Sequence, residues 1–191
     1  MQTNIILSIK SSTKSIPSAG AEHDTETDHD FKLLKGRPDE AATIPEVQDN
    51  DALKYALVKI NNNSTPFFTV GCALSINSEP NGFWAKGYLE FAFNYIEIAK
   101  DSPNYFLIFE QFNNYVRASG FNLPVDFNFQ LEGAHFSQIK ADGHTATVWI
   151  TTAEFPAKDD AHKTWNQSIG LLADFLGSFE KPPLTAIYAG E

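Results

Sequence analysis

The side chains of this chain that could do chemistry are five histidines, one cysteine and several closely spaced carboxylates. His23 and His29 stand six residues apart among Asp and Glu, the composition of a weak divalent-metal site. A metal centre needs ligands fixed by an outer shell of partners, and the residues around them supply none. His135 and His144 fall on one face of an expected hairpin. With Asp142-Gly143 as a two-residue turn, Ala141 faces His144, Phe136 faces Trp149 and His135 faces Ile150. The two imidazoles then stand roughly 20 Å apart along the strands, too far to share a metal or relay a proton. His135, on the core side, reads as a structural histidine rather than a general base.

Cys72 lies between Val70 and Leu74 on the bulky side of an alternating strand. Thiols in apolar surroundings have raised pKa and are inert. Asp126 and Glu132 alternate with polar neighbours and belong on a wet face, and Asp159-Asp160 fits a helix N-terminus. Nucleophile-elbow, phosphate-loop, dinucleotide and zinc-protease signatures are absent from the sequence. No catalytic residue, metal or cofactor is assigned, and the chain reads as a non-enzyme.

Several elements must position these groups. Asn4 to Ile9 is β-branched and strand-like, after which residues 10–50 turn Ser, Thr, Pro and acid rich. Glu22 to Asp30 carries five acids and no base, too little apolar area to offset its ordering entropy. If ordered, it must be gripped by its own domain or by another copy. A helix follows Asp49–Asp51, with Leu53, Ala56, Leu57 and Ile60 at helical spacing. Phe68 to Ile76 alternates as a strand. Pro80-Asn81-Gly82 turns it back, and a strand from Phe83 to about Ile98 follows, with a bend or bulge expected at Gly87. Ser102-Pro103 opens a helix that Gly120 ends. Val125 to Leu131 is a half-buried strand, and the hairpin above completes the sheet. A last helix starts near Asp159 and stops at Lys181-Pro182-Pro183, with Leu184 to Tyr188 as a possible edge strand. Gly170 and Gly177 suggest a strip of close approach on that helix.

The expected fold is therefore α+β: an antiparallel sheet with helices mainly on one face, a possible αββ duplication and a long acidic N-terminal segment. Residues 1–48 form the N-terminal strand and extended segment, and residues 49–191 the globular part.

At 191 residues the chain can bury a substantial core. Its formal charge of -10, from 24 acids against 14 bases, argues against nucleic acid, which requires basic surface, and against anionic membranes. No apolar run reaches the ~18 residues of a membrane span. The lack of an export signal points to the cytoplasm, and one cysteine excludes an internal disulfide framework. Sixteen Phe, six Tyr and three Trp leave aromatics to spare for contacts. The first reading is an interaction protein that self-assembles or binds a basic partner protein. Its surface would comprise the Phe136–Trp149 pair and the acids Asp24, Glu26, Asp28 and Asp30. The second is a small-molecule-binding domain or small enzyme. Its pocket would lie between sheet and helices, lined by Phe91, Phe93, Phe127, Phe129 and Trp165, with His135 as the polar handle.

Overall fold

Alternating and helical apolar spacings resolve into five strands and four α-helices in a computed structural model, which describes residues 2–17 and 32–188. The strands are β1 (Asn4–Ile16), β2 (Phe67–Glu79), β3 (Gly82–Phe93), β4 (Val125–Phe136) and β5 (Ala141–Thr152). The helices are α1 (Asp51–Ile60), α2 (Ile96–Ala99), α3 (Ser102–Ser119) and α4 (Lys158–Leu176). The acidic stretch with His23, Asp24, Glu26, Asp28, His29 and Asp30 lies outside the described residues.

The strands form one sheet in the order β1-β4-β5-β3-β2. Three pairings are antiparallel, but β1 joins β4 in parallel, so the sheet is mixed rather than antiparallel throughout. The order αββ, αββ, α is present, with the second strand of each hairpin, β3 and β5, adjacent in the centre of the sheet.

Local chemistry explains the helices. The Asn50 side chain accepts from the Leu53 amide at 2.8 Å and starts α1. Pro103 stands in the first turn of α3, and Gly120 closes it in the left-handed region at φ 70. One face of the sheet takes these helices. Phe112 of α3 packs against Phe127, Phe129 and Phe175 at centroid distances of 5.1 to 5.2 Å. Trp165 of α4 packs on Gly87 and donates its indole N–H to the Ile150 carbonyl at 3.2 Å. Gly87 is thus a seat for the indole and not a bulge, since the β2–β3 register runs unbroken through it. The irregularity falls instead between Thr69 and Gly71.

Other expectations are revised. β3 stops at Phe93, and α2 takes up residues placed in the strand. Residues 184–188 form no strand. Asn94 holds them, its backbone carbonyl accepting from Ile187 and its side chain exchanging two bonds of 2.8 Å with the Tyr188 backbone. A Cβ on Gly170 would meet nothing within 4 Å, so it marks no close approach, whereas one on Gly177 would meet Lys59 at 2.7 Å.

The β4–β5 turn lies at residues 137–140 rather than at Asp142-Gly143, with Lys140 at φ 50. Phe136 therefore pairs with Ala141, while Trp149 pairs with Asn128. A Cβ at Gly143 would lie 2.8 Å from the Phe136 ring and 2.9 Å from the Ala99 carbonyl. That glycine is required by packing inside the strand, not by a turn.

Candidate functional site

The site lies on the sheet face away from the helices, where Glu90 (β3) and Glu132 (β4) both point. β1 and β3 are three strand spacings apart, about 14 Å in a flat sheet. Yet Lys14 of β1 forms an ion pair with Glu90, so the sheet curls and this face is concave. The same ammonium lies 3.5 Å from Glu132, and Lys10 approaches that carboxylate at 3.7 Å.

A bulge builds this arrangement. Between Ile9↔Leu131 and Thr13↔Gly133, three residues of β1 oppose one of β4. The extra residues turn Lys10, Ser12 and Lys14 towards Glu132, and Ser12 Oγ donates to it at 2.5 Å. Burial raises the Glu132 carboxyl, but the Ser12 hydrogen bond and the Lys14 and Lys10 charges together outweigh it. The group titrates below the ordinary carboxylate range.

A strap, residues 32–47, covers part of this face. Leu34, Ala41 and Val47 are buried in it. Gly36, at φ 80, allows the turn in which the Arg37 amide donates to the Leu34 carbonyl. Lys35 pins the strap from below, donating to the Asn62 and Thr65 carbonyls at 2.7 Å and to the Thr65 hydroxyl at 3.0 Å. Burial, with help from the Lys181 charge, pushes the Lys35 ammonium down to about 7.

Between strap, β2, β3 and the end of β1 is a cavity of about 440 Å³. Ile16, Leu34, Ile44, Leu57 and Val70 give it apolar walls, and Lys14, Lys32, Glu46, Tyr88 and Glu90 bring polar groups to it. Gly71 lines the cavity too. A Cβ there would first meet the Tyr88 ring and hydroxyl, at an ordinary 3.5 Å, so a larger residue at 71 would project into the cavity. Cys72 also borders it. Burial, then the Glu46 charge, pushes its thiol up to about 12, which keeps it protonated at neutral pH.

The residues singled out from sequence lie elsewhere. Phe91, Phe127, Phe129 and Trp165 are buried to 2% exposure or less and Phe93 to 6%. They pack between sheet and helices and do not line this cavity. Phe136 is fully buried beside Ile16 and Phe68. Trp149 is half-buried, its ring 4.8 Å from Tyr88 and beneath Lys86. Eight strand positions, roughly 27 Å, separate Phe136 from Trp149, so they form no pair.

His135 faces Asp142 across the hairpin, Nδ1 to Oδ1 2.7 Å. His144 is its diagonal neighbour, about 7–8 Å away by strand geometry, not roughly 20 Å. Its ring lies instead 3.4 Å from the Ala99 carbonyl. Among the described residues no cluster of three or more His, Cys, Asp or Glu could hold a metal, and no helix is long and apolar enough to cross a membrane.

Sequence reasoning missed Lys14 and Glu90 and placed Glu132 on a wet face, where in fact it is buried. One signal was available: Glu90 is the lone charge in the apolar run from Tyr88 to Tyr95. No protein-family model, curated protein or solved structure matches the chain.

Proposed function

We propose that the chain is a small-molecule-binding domain whose site is the cavity under the strap, not the space between sheet and helices. One observation carries this reading: a cavity of about 440 Å³, within the ordinary range for small-ligand sites, whose walls are shared about equally between apolar side chains and convergent polar groups. A carboxylate adds a second argument. Burying Glu90, which lines the cavity, brings little stability even with Lys14 paired to it, which favours a role in recognition. N-phenyl-1-naphthylamine, a neutral dye that brightens in apolar cavities, tests the reading. The native chain should bind it with enhanced emission, and Gly71→Leu should abolish that signal while unfolding at close to the native temperature. A native chain that leaves the dye dark, or a Gly71→Leu variant that binds it equally well, overturns the reading.

A second reading, self-association, is favoured by the edge strand β1. Its outer edge pairs with no described strand, and Ile6 and Ile9 are 49% and 67% exposed. Strand addition by a second copy along residues 4–9 would cover both. Light scattering of the native chain and of Ile6→Lys/Ile9→Lys tests it. A monomeric native chain, or an oligomer that survives both substitutions, excludes this route.

A further inference from the structure

We infer that the occupant of the strap cavity is an amphiphilic cation, an apolar body that carries an ammonium group at the Glu46 side of the mouth. The inference rests on the ligand-binding reading above and adds the chemical class.

The argument is one of which charges are already committed. Lys14 is held by Glu90 and Glu132, so its ammonium already faces two carboxylates. Lys32 lies 3.1 Å from Glu40 and donates to the Thr43 hydroxyl at 2.6 Å. An anionic ligand would have to compete with a carboxylate for either ammonium. Glu46 differs: among the described residues it makes no ion pair or hydrogen bond, yet it lines the cavity. Its negative charge reaches the cavity wall, because it adds to burial in raising the Cys72 thiol. The uncommitted charge at the cavity is therefore an anion, and the group it complements is a cation. Ile16, Leu34 and Val70 offer the ligand's body only apolar contact. The formal charge of -10 on the whole chain draws cations towards the surface from longer range.

Displacement of bound N-phenyl-1-naphthylamine by three ligands with one eight-carbon tail tests the class: octylamine, 1-octanol and octanoate at pH 7 and low salt. Octylamine should displace the dye at a concentration about fivefold below 1-octanol, the scale of one part-exposed ion pair, with octanoate weakest. Glu46→Gln, on an exposed rim residue, should bring octylamine level with 1-octanol when each displacement is corrected for the variant's own dye affinity. If the dye binds but octanoate matches or beats octylamine, or if Glu46→Gln leaves the preference intact, the cation assignment fails and the cavity reading stands. If the dye does not bind, the cavity reading itself fails.

Discussion

Lys14→Met probes the charged floor of the cavity most directly. The Glu90 and Glu132 side chains are 8% and 9% exposed, whereas Lys14 itself is 32% exposed. Removing one partner of a fully buried ion pair costs about 3–5 kcal/mol, because a charge is left without compensation. Water reaches Lys14, and Ser12 and Lys10 still attend Glu132. The expected loss is therefore lower, about 2–3 kcal/mol at pH 7, or about 5–10 °C in Tm for a chain of this length. The pH dependence gives the sharper test. In the native chain Glu132 titrates below its unfolded value of 4.5. Its stabilisation is thus present above that pH and lost as pH falls through the folded value. Without Lys14 the ammonium's charge and hydrogen bond no longer offset burial, so the folded value moves up towards the unfolded one and the contribution shrinks. The variant gains relative stability when the group is protonated and loses it as pH rises. Urea denaturation of both proteins from pH 4 to 7.5 should show a penalty that is largest at neutral pH and shrinks towards pH 4. Lys14→Arg should recover most of the loss, and Glu90→Gln added to Lys14→Met should recover part. A penalty below about 0.5 kcal/mol at pH 7, against the 2–3 expected, or one that does not change with pH, would refute the reasoning.

Three further outcomes follow from the packing. The unfolded chain holds the Lys35 proton up to 10.5, whereas the folded chain releases it at about 7. Lys35 thus makes stability rise with pH between those values, and denaturation midpoints of Lys35→Met should rise less over pH 7–10 than those of the native chain. Parallel curves would show that the ammonium is not so perturbed. Gly87→Ala places a methyl 2.3 Å from the Ala73 carbonyl and 2.6 Å from the Trp165 ring. It should cost at least the upper end of the about 1–3 kcal/mol typical of overpacking, read by urea denaturation together with a change in Trp fluorescence. Gly143→Ala should destabilise for the same reason, whereas Asp142→Asn, which removes only the exposed pair with His135, should stay within about 0.5 kcal/mol of native. Equal costs would return the turn to Asp142-Gly143.

Elements whose causes are local were legible in the sequence. Helix α1 announces itself through its Asn50 cap and four apolar positions, α3 through Pro103 and Gly120, and β4 through strict alternation, and all three form, with Leu53, Ala56, Leu57 and Ile60 of α1 and Tyr105, Ile108, Phe112 and Val116 of α3 buried. The hairpin register was not legible, because Asp142-Gly143 is the stronger local turn signal. What decides against it is the Phe136 ring, which occupies the space of a Cβ at 143. The parallel pairing of β1 to β4 spans about 120 residues of chain and leaves no local trace. The candidate site inherits that opacity. Glu132 sits in an alternating polar row and reads as solvated until β1 is laid beside it.

The cavity follows from departures from regularity. Continued in register, β1 would place one residue opposite Glu132 and leave its carboxylate to water. The bulge instead sets three residues there and turns Ser12 and Lys14 inward. At the far edge the β2–β3 ladder slips at Val70, beside Gly71, where the missing side chain leaves the floor open. Over both passes a strap held by a lysine that burial drives towards neutrality. Each device lowers or leaves unimproved the stability of the sheet: a broken ladder, a residue with no side chain to pack, a desolvated ammonium. The first two meet at one cavity under the strap that the third holds, an arrangement that supports the proposed binding reading, since sequences tend to break local rules where function demands it.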